Sequence, residues 1–277
     1  MKDDLLEVDG GPSLRVRVGG EGPGLLLLHG FASGIDGWPP GELERLSRTR
    51  RVVAPDLPGH GASGPAGPGD ATPERLVAVV DAVRRRYLEG HEVTILGYSM
   101  GARLALTALA RRLPIDRLLL ESPNPGLEAA EDRATRTRWD DGWADRFASE
   151  PTEAVLDAWL DQPIFATRRA LPPEAKAHQR RVRYGADGPS LATFLREFGT
   201  GRMPPTWDAL SATGIPLRIL VGARDTRYVE LAARIRACGS DVEVTVVEGV
   251  GHAPHMEAAG RWGAWVDATA PGLGAGS

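Results

Sequence analysis

Val93-Thr-Ile-Leu-Gly-Tyr-Ser-Met-Gly-Ala-Arg103 decides the fold of this chain. Val93 to Leu96 is an apolar, β-branched run without a turn residue, the composition of a buried strand. Gly97-Tyr98-Ser99-Met100-Gly101 fits the pattern G-x-S-x-G. Ala102 to Arg112 is rich in Ala, Leu and Arg, lacks Gly and Pro, and reads as a helix. Strand, sharp glycine turn carrying a serine, helix: in that context the pattern marks a nucleophile elbow. The serine of an elbow sits in strained backbone. A bulky side chain two residues to either side would strike the neighbouring strand or helix, which accounts for both glycines.

Outward from the elbow, strands and helices alternate. Leu25-Leu-Leu-Leu28 is a continuous apolar run, as in a strand buried on both faces, and it ends in His29-Gly30-Phe31. Arg51 to Ala54 is another strand, running into Asp56-Leu-Pro-Gly-His-Gly61. Ala62 to Asp70 is Gly/Pro-rich and reads as loop. Thr72 can cap a helix with Pro73 at its first position, and Leu76, Val79, Val80 and Val83 follow at helical spacing. Arg117 to Glu121 is the next strand; Leu5 to Val8 and Leu14 to Val18 read as a hairpin around Gly10-Gly11-Pro12.

The alternation then stops. Between Glu128 and Thr206 no strand is expected, and helices are expected over Glu128 to Ala148, Thr152 to Leu160, Glu174 to Arg183 and Ser190 to Phe198, punctuated by prolines. It resumes with a strand at Leu217 to Val221, a helix at Val229 to Ala237, a strand at Glu243 to Val247 and a helix at Ala258 to Ala268. The expectation is an α/β fold with a mostly parallel central sheet, helices on both faces and an inserted all-helical cap. Residues 1–127 and 207–277 would form the core and 128–206 the cap, an insertion too large for a loop, with 271–277 a disordered tail.

Composition narrows the function classes. The 277 residues are 42% hydrophobic and 25% charged with a formal net charge of −4, which offers nucleic acid no basic surface. Cys238 is the single cysteine, so no intramolecular disulfide can form. Met1-Lys-Asp-Asp-Leu-Leu-Glu7 has no signal-peptide h-region, and no apolar run is long enough to span a bilayer. A cytoplasmic protein without a membrane partner is expected.

A serine hydroxyl needs a histidine to take its proton and a carboxylate to hold that histidine. After an elbow serine the expected chain order is acid, then histidine. Asp225 follows the strand ending at Val221, and His252 follows the strand Glu243 to Val247, so both fall at the carboxyl edge of the sheet with Ser99. An isolated aspartate after a strand is otherwise a helix N-cap, and His252 otherwise a loop histidine; the three residues in order outweigh those readings. His255 is the rival base, read as a supporting or substrate-facing residue. Developing negative charge needs donors: the N–H of Met100, directly after the serine, and the N–H of Phe31 in the loop after Leu28. His29 and His60 read as structural, His91 and His178 as surface residues.

Arg103 is unusual for an acyl hydrolase. It lies one helical turn beyond Ser99 on the same face, where a guanidinium can bind a carboxylate through paired N–H donors. The alternatives are that it reaches solvent or pairs with a core acid. The insertion is dense in arginine (among them Arg136, Arg168, Arg169, Arg180, Arg181 and Arg183) and in acids, so many of these pair or are solvated. Arg227 lies on the same sheet edge as Asp225.

The core resembles the α/β-hydrolase superfamily throughout. Gly97-Tyr-Ser-Met-Gly-Ala-Arg103, Asn124-Pro-Gly-Leu127, Ala130-Glu-Asp-Arg-Ala-Thr-Arg-Thr-Arg138, Phe147-Ala-Ser-Glu-Pro151, Trp159-Leu-Asp-Gln-Pro-Ile-Phe165 and Gly251-His-Ala-Pro-His-Met-Glu257 further resemble the SHCHC synthases of menaquinone biosynthesis. These lyases eliminate pyruvate from 2-succinyl-5-enolpyruvyl-6-hydroxy-3-cyclohexene-1-carboxylate to give 2-succinyl-6-hydroxy-2,4-cyclohexadiene-1-carboxylate (SHCHC). The resemblance implies an α/β-hydrolase fold and a small-molecule tricarboxylate substrate, with no cofactor and no metal. It implies Ser99, Asp225 and His252 as a proton-abstracting triad, and Tyr98, Arg103, Arg136, Trp159 and Arg183 as substrate-binding residues. Arg183 shares its segment with Arg180 and Arg181. Ala102 and Ser122-Pro123 depart from the small Gly-rich residues common at these places. An esterase or carbon–carbon bond hydrolase of the same superfamily is the alternative, and a non-catalytic binding protein is a second. The oligomeric state is not legible from these residues.

Overall fold

The computed structural model describes residues 1–272. Among them, eight strands form one sheet: β1 (Lys2–Leu6), β2 (Leu14–Gly19), β3 (Gly24–Leu28), β4 (Arg51–Pro55), β5 (Val93–Tyr98), β6 (Arg117–Glu121), β7 (Leu217–Gly222) and β8 (Val242–Val247), in the order β1-β2-β4-β3-β5-β6-β7-β8. β2 runs antiparallel to β1 and β4; every other pair is parallel. The apolar runs of β3 and β5 occupy the middle, where a strand buried on both faces belongs. Side chains alternate between faces, and each face builds its own core. Leu26, Leu28 and Ile95 pack under α2 (Pro73–Leu88) and α3 (Met100–Ala110), together with α8 (Trp207–Ala212) and α9 (Thr226–Cys238). Leu25, Leu27 and Leu96 pack against α1 (Glu42–Leu46) and α11 (Ala259–Thr269) on the other face.

Between β6 and β7 come α4 (Ala130–Ser149), α5 (Thr152–Leu160), a 3-10 helix (Pro163–Ala170), α6 (Pro173–Tyr184) and α7 (Gly188–Phe198). They share a separate apolar cluster that includes Ala144, Phe147, Leu156, Trp159 and Leu191. The short α10 (Pro254–Glu257) precedes α11. The parallel strands all end on one edge. Leu28 pairs with Gly97, Tyr98 with Glu121, and Gly222 with Val247, so the loops after β3, β5, β7 and β8 meet there.

Several boundaries differ from the sequence reading for identifiable reasons. The first strand begins at Lys2 rather than Leu5. Its charged end is held across the hairpin, where Asp3 accepts from Arg17 Nε at 2.7 Å and from Arg15 Nε at 2.8 Å, and an apolar-alternation rule does not see such pairing. The short helices α1, α8 and α10 carry too little periodicity to read and are stabilised by packing. At the other end, Arg50 donates to the Ala270 and Pro271 carbonyls at 3.0 and 2.9 Å, so residue 271 is held rather than loose; residues 273–277 of the expected tail lie outside the described residues. Cys238 is exposed, and among the described residues no helix is long and apolar enough to cross a membrane.

Candidate active site

The elbow is built as its glycines require. Ser99 adopts φ 49°, ψ −104°, a backbone state a non-glycine residue holds only when its surroundings impose it. A Cβ on Gly97 would stand 2.5 Å from the Gly101 carbonyl oxygen, and one on Gly101 would stand 2.0 Å from that of Leu28. β5 and α3 can therefore join this tightly only without those side chains. α3 starts at Met100, two residues earlier than the composition suggested, so the Met100 N–H lies in the first turn of a helix, where no earlier carbonyl can take it. Glu121 fixes the turn from the next strand: its carbonyl accepts the Ser99 N–H at 2.9 Å.

The three expected catalytic residues meet. His252 Nε2 lies 3.0 Å from Ser99 Oγ, and His252 Nδ1 lies 2.7 Å from Asp225 Oδ2. Asp225 precedes α9 but makes no side-chain capping bond there; its carboxylate serves the histidine instead. The loop bearing His252 is pinned on both sides. Glu257 accepts the Gly251 N–H at 2.8 Å and the Ala253 N–H at 3.2 Å, and Ser122 Oγ donates to the His252 carbonyl at 2.9 Å. Ser122 itself has φ 50°, so it occupies a glycine-like conformation and adds a hydroxyl that glycine lacks.

His255 stands elsewhere. It is buried behind the elbow, its N–H and Nδ1 at 2.9 and 2.7 Å from Glu121 Oε1 and its ring 4.4 Å from that of Tyr98. Trp262 Nε1 donates to the other Glu121 oxygen at 3.0 Å. His255 does not border the cavity described below, so it supports the elbow and the substrate-facing alternative falls.

A cavity of about 620 Å³ opens over Ser99 and His252, within the size range of small-molecule sites. Phe31 and Met100 line it beside the serine, and Arg103, Arg136, Trp159, Arg227 and Tyr228 line it further out. Arg103 is held from one side only, Nη1 donating to the Phe198 carbonyl at 2.6 Å with the guanidinium over the Phe198 ring. No carboxylate among the described residues pairs with it. Burial, and after it the Arg136 charge, pushes its pKa down to about 10. Arg136 gives Nε to buried Asp140 at 2.9 Å and lies over the Trp139 ring. Trp159 packs 4.9 Å from Phe31.

Two expected substrate-binding residues do not line this cavity. Tyr98 is 4% exposed and faces His29, Trp38 and His255 on the other side of the elbow strand. Arg183 is the member of its trio that turns inward, since Arg180 pairs with Asp157 at the surface and Arg181 is exposed. Its Nη1 donates to the Phe31 and Ala32 carbonyls, each at 3.2 Å, so it grips the loop that carries the Phe31 N–H. Burial first, then nearby Arg168, lowers its pKa to about 9. Elsewhere in the insertion, Arg146–Glu150, Arg169–Asp161 and Arg180–Asp157 are surface pairs.

Cavity-lining Tyr228 and the supporting residues Glu121 and Glu257 were missed by the sequence reading. Glu257 ends the motif Gly251-His-Ala-Pro-His-Met-Glu257, and its spacing was the available signal; Tyr228 and Glu121 gave none.

The chain belongs to the alpha/beta hydrolase family. The model described as "Alpha/beta hydrolase family" matches residues 25–264. The 2-succinyl-6-hydroxy-2,4-cyclohexadiene-1-carboxylate synthase of Salmonella paratyphi C (strain RKS4594) is 31% identical over 239 residues, covering 85% of this chain and 88% of that protein. The structure of MenH from S. aureus superposes with a TM-score of 0.86 at 26% identity, covering 92% of this chain and 98% of that one. A thermophilic esterase from Thermogutta terrifontis, solved with malate bound, shares the fold with a TM-score of 0.80 at 24% identity, over 97% of each chain. Within the alpha/beta hydrolase family, the synthase relative places this chain with the SHCHC synthases.

The loop after β3 rests on two neutral histidines. His29 Nε2 accepts the Leu57 N–H at 3.0 Å while Nδ1 donates to the Gly30 carbonyl at 2.8 Å, and burial lowers its pKa to about 4. Burial, then His29, lowers that of His60 to about 3; its ring packs 5.9 Å from Phe31. An unfolded chain protonates both near 6.5, so between there and about 4 the unfolded state binds more protons and stability falls as pH falls. The melting temperature is expected to drop from pH 7 to pH 5, and less steeply in His60→Phe, which keeps the ring packing. Parallel melting curves for the two proteins would contradict this.

Proposed function

We propose that this chain eliminates pyruvate from 2-succinyl-5-enolpyruvyl-6-hydroxy-3-cyclohexene-1-carboxylate to form SHCHC. The observation that carries the reading is Arg103, a half-buried cation beside the nucleophile with no carboxylate of its own. A neutral ester would leave that charge uncompensated in the complex, whereas a tricarboxylate satisfies it. Arg136 supplies a second cation on the facing helix α4.

The triad works here as a base. His252, oriented by Asp225, accepts the Ser99 proton as Ser99 Oγ takes the ring proton next to the succinyl ketone. Charge moves onto the ketone oxygen, which the Phe31 and Met100 N–H groups receive. Its return through the ring expels the enolpyruvyl oxygen and leaves the conjugated diene. The expelled enolpyruvate takes up the proton held by His252, which restores the neutral triad, and tautomerises to pyruvate. No acyl transfer occurs, so Ser99 needs no leaving group.

The test sets pyruvate release from the enolpyruvyl substrate beside hydrolysis of a nitrophenyl ester. Pyruvate release at rates typical of enzymes, with slow ester cleavage, is expected. Fast ester turnover without pyruvate would replace this reading with the esterase one.

A further inference from the structure

The first turn of α9 carries a side chain with no assigned role. Tyr228 lies three residues beyond Asp225, and its N–H returns to the Asp225 carbonyl at 2.9 Å. Its ring packs edge-on against His252, centroids 4.6 Å apart at 64°. It lines the cavity with Ser99, His252, Arg103 and Arg136. Its hydroxyl finds no hydrogen-bond partner among the described residues. The charges bearing on it are Asp225, Arg136, Arg103 and Arg227.

These facts point to a ligand. Packing against His252 needs only the ring, which phenylalanine would supply. A hydroxyl on a cavity-lining ring with no protein partner is a free donor that a packing role leaves unused. The groups near it that could bind an anion are the guanidiniums facing the cavity, those of Arg103 and Arg136 and, on its own helix, that of exposed Arg227. Arg103 spends a donor on Phe198 and Arg136 spends one on Asp140, so each keeps donors for an incoming carboxylate. Tyr228 adds a neutral O–H from the other wall. Because α9 also begins at the triad acid, a carboxylate held by that O–H is held in register with His252.

We propose that the Tyr228 hydroxyl donates to the substrate carboxylate that Arg103 and Arg136 neutralise, which makes Tyr228 a substrate-binding residue. The proposal rests on the pyruvate-eliminating reading for its substrate, and its test separates the two. Tyr228→Phe removes one atom and keeps the ring. Binding of 2-succinylbenzoate, a stable aromatic dicarboxylate analogue of the product, is measured calorimetrically for both proteins, with steady-state pyruvate release alongside. The variant is expected to bind the dicarboxylate about ten- to a hundredfold more weakly. KM should rise similarly, kcat should stay within about threefold, and the melting temperature should be unchanged. Equal dissociation constants for the two proteins, loss confined to kcat, or a wild-type protein that binds no dicarboxylate would each overturn the proposal. A wild-type protein that binds the dicarboxylate through Tyr228 but releases no pyruvate would leave this inference standing and overturn the reading of the reaction.

Discussion

Ser99→Ala is expected to lower kcat for pyruvate release by about 10⁴-fold, the scale seen when one member of a serine triad is disabled. The hydroxyl is the link between His252 Nε2, at 3.0 Å, and the substrate above it. Without it the imidazole stands a full side-chain length from the ring proton, and a water in the gap would have neither the position nor the polarisation of the serine. KM should change little, because the carboxylate-binding side chains are untouched. The fold should also be indifferent. Alanine at φ 49° meets the same backbone strain as serine, and the Ser99 N–H keeps its bond to Glu121. The measurement is steady-state kinetics on protein shown by its melting curve to be native. A loss under tenfold would mean that His252 reaches the substrate directly and that Ser99 is no proton relay.

The second large effect is on binding. Arg103→Ala is expected to cut kcat/KM by about a hundred- to a thousandfold. Truncating one partner of a buried, hydrogen-bonded charge pair costs about 2–5 kcal/mol, much of it from the carboxylate left unpaired. The same substitution should leave the melting temperature unchanged or raise it. In the free protein the guanidinium is half-buried, bonded to one carbonyl, repelled by Arg136 and attracted only at a distance by Asp140, which is itself paired with Arg136. Removing it relieves a cost rather than breaking an ion pair. Arg103→Lys should fall between, since a lysine keeps the charge but loses the planar fork. Wild-type kinetics in Arg103→Ala would remove the substrate's carboxylate from this part of the cavity.

The split between activity and stability at these two positions follows from how the site is layered. Ser99, Arg103 and Tyr228 face the cavity and carry little of the fold. Glu121, Glu257, His29 and Arg183 lie one layer behind and hold the loops through backbone bonds. Substitutions behind the cavity would disturb folding and catalysis together, which makes the cavity-facing residues the cleaner probes of mechanism.

The sequence by itself determined the elbow, the alternation of strands and helices, the place of the helical insertion and the Ser99–Asp225–His252 set. Each is a local or periodic signal. Gly97 and Gly101 report backbone contacts within a few residues, and Asp225 and His252 follow strands whose parallel order brings their ends to one edge. The departures flagged at Ala102 and Ser122 fit the same frame, one in the core and the other bonded to the His252 carbonyl. Only the tertiary structure decided which arginines face the cavity. Arg103, Arg136 and Arg227 do, while Arg183 turns to the Phe31 loop and the remaining cap arginines named above largely pair at the surface or lie buried outside it. It alone brought Tyr228 against His252 and set His255 and Tyr98 behind the elbow rather than over it. The reason is physical. A cavity wall is assembled from side chains far apart in sequence, and its polar lining has no periodicity of its own. Whether a given arginine meets solvent, an acid or a substrate depends on helix orientations that packing fixes.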